Sequence, residues 1–424
     1  MGNHIHKAWP MENGIREPPD LPTEILLDIV SRADLVTVIR CAAASKHLRR
    51  HITDPSFRRR LHDHHADGFV PALLVGIFFH HIDEARRFVP LPRPSANKLT
   101  LSLAPSNGGD GGYFGPYTFR PVASRAGLVV LSRNRVRRDA TGTLDELCVG
   151  SPVTGRYAYL PPAAVYGYSH VLLAGDEEDG AGTGRSSSSF RLLVLGGAWP
   201  HRQTQIFSSR TGRWGPDTEP FASLDDLPND SVIARYSAVV VLRGVVAHWL
   251  CYVGSLSSPP GYGVLSIDAG TGVAAAVEIP RQCLPWRRHK VTEELLLARS
   301  AEGRLALLVA ECLGIAMWTL SDDGGGGTAS WARRLVVDRT GLLGSAKLLY
   351  DPLGCVGPVG TQLDWFGEAS GTVLFQVSGA GILLLNLHTR EISQFSQGVA
   401  INRSLWCCPY EMDLASVLAA MKSF

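Results

Sequence analysis

The stretch LCVGSPVTGRYAYLP, Leu147 to Pro161, decides the fold of most of the chain. An apolar run reaches Ser-Pro-Val-Thr-Gly, and a second short run leaves it. Gly155 offers the positive φ that a tight hairpin turn requires, so the phrase reads as strand, turn, strand. It recurs as TQIFSSRTGRWGP from Thr204, YGVLSIDAGTGVAAAVEIP from Tyr262 and LLLNLHTREISQF from Leu383, the last with a Thr-Arg turn. A degenerate copy, AMWTLSDDGGGGTASWARRLVV from Ala316, has its turn lengthened by four glycines.

A further apolar strand precedes each phrase: GLVVLSR at Gly127, FRLLVLGG at Phe190, YSAVVVLRGVVAHWLCYV at Tyr236, GRLALLVAE at Gly303 and GTVLFQV at Gly371. Units of this kind, about 50 to 65 residues apart with about four strands each, match propeller blades better than the shorter helical repeats of solenoids. Five units are counted, and GFVPALLVGIFF with KLTLSLAP, from Gly68 to Ala104, supplies strands for a sixth. The expectation is an all-β, propeller-like repeat domain of about six blades. A pair of β-sandwiches is the alternative, but a sandwich has no need of a repeating turn phrase. Three inserts, at Ser106, Gly175 and Asp322, are dominated by Gly, Ser and Asp with little apolar content and read as surface loops. Leu414, Val417, Leu418 and Met421 mark an amphipathic helix at the C-terminal end, expected to pack on the propeller rim.

Before about residue 67 the periodicity is helical. Ile25, Leu26, Ile29 and Val30 form one stripe, with Asp20 as N-cap and Pro22 in the first turn. Leu35, Val38, Ile39 and Ala42 follow i, i+3, i+4, i+7 behind Asp34, a second capping residue. Thr53-Asp54-Pro55 opens a short helix carrying Phe57 and Leu61. Three or four helices in so short a segment make a marginal core, one that a partner often completes. The expected division is a leader over 1–17, a helical domain over 18–66 and the β domain over 67–424, so the fold class is α plus all-β in separate domains.

Leu21 to Leu61, LPTEILLDIVSRADLVTVIRCAAASKHLRRHITDPSFRRRL, resembles the F-box family at Leu21, Pro22, Ile25, Leu26, Ile29, Leu35, Ile39, Lys46, Arg49, Pro55 and Phe57. It departs at Leu48, where the family often has tryptophan, and in the short loop placed at Ser31 to Asp34. From Gly68 onward the chain resembles the propeller-like region attached to many plant F-box proteins. The resemblance implies that the helices dock on the Skp adaptor of a cullin-RING ubiquitin ligase and that the β domain captures a target protein. On this reading the adaptor-binding residues are Leu21, Pro22, Ile25, Leu26, Ile29, Leu35, Val38, Ile39 and Leu48. The apolar set among them serves equally as the core of a self-contained bundle, and both readings stand on sequence alone.

The other patterns offer less. The 424 residues are 45% hydrophobic and 19% charged with a formal net charge of +2, which gives no field that would select nucleic acid or an anionic membrane. No apolar run has the length of a signal peptide's core or a membrane span, so an intracellular location, cytoplasm or nucleus, is expected. The eight cysteines lack C-x-x-C spacing and read as buried thiols. His62, His64, His65, His80 and His81 have no Cys or Glu-x-x-His companions and read as a polar helix end, so no metal is expected. Arg133, Arg135, Arg137 and Arg138, like Arg287, Arg288 and Lys290, read as solvated hairpins. Trp199, Trp214, Trp249, Trp286, Trp365 and Trp406 are blade core or interface anchors. No nucleophile elbow, phosphate loop or H-E-x-x-H is present, so neither catalysis nor a cofactor is expected. The competing classes are an F-box scaffold outside ubiquitination and a propeller enzyme, and the target is not legible.

Overall fold

A computed structural model describes residues 21–33, 35–54, 56–57, 60, 69–81, 84–91, 119–136, 143–165, 167–174, 189–196, 203–215, 232–233, 239–253, 261–284, 291–321, 330–345, 361–377, 380–396 and 406–413. The chain divides into two compact units, Met1–Leu61 and His62–Phe424. The leader, the three inserts, the KLTLSLAP stretch and the C-terminal helix expected from Leu414 lie outside the described residues, apart from Ser189 at one insert's edge.

In the first unit, α1 (Thr23–Ser31) starts from Pro22 rather than from a side-chain cap at Asp20, and the Pro22 carbonyl accepts the amides of Ile25 and Leu26. α2 (Leu35–Ala44) ends at Ser45, whose hydroxyl accepts the Leu48 amide at 3.3 Å and opens α3 (Lys46–Ile52). Ser45 therefore separates the two helices. Asp54 opens the next helical turn as expected, its carboxylate accepting the Ser56 amide at 2.8 Å. Leu27, Val30, Val38, Ala42, Ile52 and Phe57 form the core.

In the second unit, six antiparallel sheets make a six-bladed propeller. The chain enters with β1 (Leu74–His81) and β2 (Glu84–Pro90). Four-stranded blades follow: β3 (Arg120–Arg125), β4 (Leu128–Val136), β5 (Thr143–Ser151) and β6 (Arg156–Tyr159); then β7 (Gly167–Ala174), β8 (Phe190–Gly196), β9 (Gln203–Ser208) and β10 (Arg213–Trp214). The next blade has β11 (Val232–Ile233) and β12 (Val239–Leu242) both on β13 (Val246–Val253), then β14 (Gly261–Asp268) and β15 (Ala274–Ile279). β16 (Leu295–Arg299) to β19 (Ser330–Asp338) enclose β17 (Leu305–Glu311) and β18 (Gly314–Ser321). β20 (Thr361–Phe366), β21 (Thr372–Val377), β22 (Gly381–Asn386) and β23 (Ile392–Ser396) complete the fifth blade.

β24 (Trp406–Glu411) returns to pair with β1, in register Ile77↔Pro409 and Phe78↔Cys408, so the two ends of the unit close the ring in one sheet. Tyr410 is fully buried there, and its hydroxyl donates to the Gly127 carbonyl in the next blade at 3.0 Å. The sixth blade is thus made of β1 and β2 with WCCPYE.

The repeated phrases are the two outer strands of their blades. At Gly155, Gly212, Gly272 and Arg390 the backbone has φ of 67°, 67°, 73° and 60°, so one left-handed residue closes all four turns. Each donates its amide to the carbonyl four residues back, at 2.8 to 2.9 Å. Side chains at Ser151, Asp268 and Asn386 accept further turn amides, as short polar side chains do. Between blades, large apolar clusters pack sheet face on sheet face; Trp249 is fully buried, with its indole N–H on the Ser169 hydroxyl at 3.0 Å. Arg133 departs from the solvated-hairpin expectation. It is half-buried, pairs across the ladder with Glu146 at 2.6 Å and lies 4.4 Å over the Phe119 ring.

Candidate functional site

α1 has two faces. Leu27 and Val30 turn into the three-helix core, whereas Leu21, Ile25 and Ile29 are 51%, 48% and 54% exposed. Ile25 and Ile29, four apart on α1, share one helix face, and Leu21 stands exposed in the two residues before the helix begins. Three large apolar side chains facing solvent make a patch of the kind that marks an interaction surface. Pro22 is exposed beside Leu21, and Leu26, Ile39 and Leu48 are half-buried. Val38 is fully buried and belongs to the helical core. The Leu35 side chain lies outside the described residues. Ser31 is the buried last residue of α1, not part of a polar loop, and its hydroxyl donates to the Asp28 carbonyl at 2.8 Å.

The second site lies at one end of the propeller channel, where the innermost strands stop. The turn Gly367–Gly371 between β20 and β21 reaches across it. The Glu368 carboxylate pairs with Arg125 at the end of β3 at 3.0 Å and accepts the Val241 amide of β12 at 2.7 Å. The Glu368 carbonyl accepts from Arg299 at the end of β16 at 2.8 Å. Arg125 also donates to the Leu172 carbonyl of β7 at 3.2 Å. Glu411, ending β24, accepts the amides of Ala369 and Ser370 at 3.1 and 2.8 Å. Innermost strands have one edge without a neighbouring strand, and this cluster satisfies N–H and C=O groups on those edges.

The charges are consistent with that role. Burial lowers the pKa of Arg299, while Glu368 and Glu411 oppose the shift. Burial pushes the Glu411 carboxyl up, partly offset by Ser370 and the two amides. Phe69 lies against the same turn: Arg299 sits 4.9 Å over its ring, and a Cβ on Gly371, where φ is +64°, would stand 2.5 Å from it. Beside the cluster is a cavity of about 60 Å³ bordered by Ser124, Arg125, His170, Trp365, Glu368 and Cys408. That volume suits a few waters, and the buried Ser124 hydroxyl has no partner among the described residues.

The cluster was not singled out from sequence. Its signal is a charge just before the glycine-bearing turn that opens a blade's second strand: SRAG at Arg125, ARSAEG at Arg299 and FGEASG at Glu368. Among the described residues no group of His, Cys, Asp and Glu is placed to hold a metal. His62, His64 and His65 lie outside them, and nothing is described of the His80 and His81 side chains. Burial pushes the Cys148 and Cys283 thiols up to about 11 and Cys408 to about 12, while Cys312 is exposed. Trp214 and Trp365 are half-buried, and Trp199 and Trp286 lie outside the described residues.

Comparison with known proteins adds the family. The family described as "Domain of unknown function (DUF7595)" matches residues 114–424. The chain belongs to it. The F-box-like family matches residues 18–64. F-box domains generally bind Skp adaptors, and a helical F-box-like region followed by a propeller is consistent with an adaptor. No curated protein matches this DUF7595 chain. Solved structures share little with it. A Pyrococcus horikoshii acylaminoacyl peptidase matches at 5% identity and TM-score 0.35, covering 66% of this chain and 39% of that one. The Penicillium chrysogenum alpha-L-arabinanase complexed with arabinobiose matches at 10% identity and TM-score 0.33, covering 71% and 84%. The β-propeller domain of the Trilobed protease from Pyrococcus furiosus matches at 11% identity and TM-score 0.30, covering 66% and 83%. Matches this weak carry no argument about activity.

Proposed function

We propose that the chain is the substrate-recognition subunit of a Skp-cullin-F-box E3 ubiquitin ligase, acting in the cytoplasm or nucleus. In this reading the helical domain docks on the Skp adaptor, and through it on the cullin, while the propeller holds a target protein. The observation that carries it is the exposed apolar set of Ile25 and Ile29 on α1 and Leu21 just before it, within the segment that matches the F-box-like family. A short helical unit that leaves three large apolar side chains half-exposed gains stability when a partner covers them. In this reading Pro22, Leu26, Ile39 and Leu48 belong to the same contact.

The test is co-purification of adaptor and cullin with the full chain and with a chain lacking residues 1–66. Recovery of both, lost on deletion, supports the reading. Recovery of the adaptor without the cullin assigns the chain to scaffolding outside ubiquitination, and recovery of neither refutes the docking role.

A further inference from the structure

The chain is short of lysine in a particular way. Of its 41 basic residues, 35 are arginine and 6 are lysine. Between Lys98 and Lys290 there are 17 arginines and no lysine. Lys46 of α3 is the one lysine among the described residues, and the four of the second unit, Lys98, Lys290, Lys347 and Lys422, lie outside them.

Some of these arginines answer to geometry. Arg133 sets Nε and Nη2 on one Glu146 oxygen, and Arg299 combines a carbonyl bond with a place over the Phe69 ring. A planar guanidinium does this and an ammonium does not. Other arginines answer to no such demand. Arg156, Arg210, Arg213, Arg243 and Arg390 are exposed, and their side chains make no hydrogen bond or ion pair among the described residues. They stand at the turns after the first and third strands of their blades, on the face where Phe69 meets the channel end. At such positions a lysine would serve solubility and turn geometry equally well.

We infer that arginine replaces lysine on this surface because the propeller is held close to ubiquitin transfer and must be a poor acceptor itself. The inference rests on the reading of the chain as a ligase receptor. In the transfer step a neutral lysine amine attacks the carbonyl of the ubiquitin C-terminal thioester carried by the conjugating enzyme. The C–N bond forms, the C–S bond breaks, the thiolate leaves and the amine's proton passes to solvent. A guanidinium stays protonated, with its lone pairs delocalised, and does not attack.

The experiment reconstitutes the full chain with a Skp adaptor, a cullin-RING scaffold and a ubiquitin-charged conjugating enzyme. Assembly is checked by gel filtration, and ligase activity by discharge of ubiquitin onto free lysine. Wild type is compared with a variant carrying Arg210→Lys, Arg213→Lys and Arg243→Lys, which keeps the charge. A second variant, Arg156→Lys with Arg390→Lys, guards against a local folding effect in the first. Self-modification is expected to rise about threefold or more in both variants, since reactive amines replace inert guanidiniums, with ubiquitin mapped to the substituted positions. Equal self-modification of wild type and both variants, with free-lysine discharge intact, overturns the inference and leaves the receptor reading standing. Failure of wild type to assemble with the adaptor overturns the receptor reading, and this inference with it.

Discussion

Glu368→Ala should destabilise the propeller by about 3 kcal/mol. The change removes the 3.0 Å ion pair with Arg125 and the 2.7 Å bond from the Val241 amide, leaving a cation and a strand-edge N–H without these partners. The paired side chains are 25% and 18% exposed, between a surface pair worth about 0–1 kcal/mol and a buried one whose breakage costs about 3–5 kcal/mol. We take about 2 kcal/mol for the pair and about 1 kcal/mol for the orphaned amide. Glu368→Gln keeps an oxygen for Val241 and loses the charge, so about 2 kcal/mol is expected. A double-mutant cycle with Arg125→Met should return a coupling of about 1–2 kcal/mol. The assay is urea denaturation followed by the fluorescence of buried Trp249 and its neighbours, with unchanged m-values. A Glu368→Ala loss under about 0.5 kcal/mol, the range of ordinary surface changes, would show that the channel cluster does not hold the blades together.

Two further predictions concern single positions. Arg390→Gly should stabilise by about 0.5 kcal/mol, since φ of 60° strains a side chain, with the gain reduced by glycine's freer unfolded chain; Gly155→Ala, whose Cβ would meet open space at φ of +67°, should cost about 1 kcal/mol for backbone reasons alone, and both are read from denaturation midpoints. His248, with its Nδ1 on Ser266 at 2.7 Å and a buried Nε2 that has no partner among the described residues, is held by burial at about 4, below the ordinary 6.5. The unfolded state therefore binds the extra proton first, and stability should fall as pH drops from about 6.5 to about 4, by up to about 3 kcal/mol, then level off in this contribution. A pH series of midpoints checks it, and His248→Gln should fall less over that interval.

The parts of the fold that were legible in sequence are those where local chemistry acts alone. Gly155, Gly212 and Gly272 mark left-handed turns, and the apolar strands beside them, such as LVVL and LLVL, have few other places to go. The innermost strands RPVASR and WCCPYE were missed because they have one edge on the channel and end in charge, so neither alternation nor continuous apolarity marks them. Closure of the ring was missed for another reason: pairing Ile77 with Pro409 is a long-range event with no local trace. Arg125, Arg299 and Glu368 look like surface charges until the blades bring them together. In α1 the apolar stripe was visible, but which of Leu26 and Leu27 faces inward depends on where α2 and α3 pack. For the same reason Val38 was left open between core and contact.

The most direct test of the central claim is calorimetric titration of a Skp adaptor into folded wild type and Ile25→Lys. Ile25 is 48% exposed and outside the helical core, so the substitution should leave folding intact. It removes a side chain whose full burial is worth about 1.5–3 kcal/mol and sets a charge in an apolar contact. Affinity is predicted to fall about tenfold or more, with exposed Arg50→Ala on α3 as a silent control and the propeller's melting unchanged. Equal dissociation constants for wild type and Ile25→Lys would contradict the account.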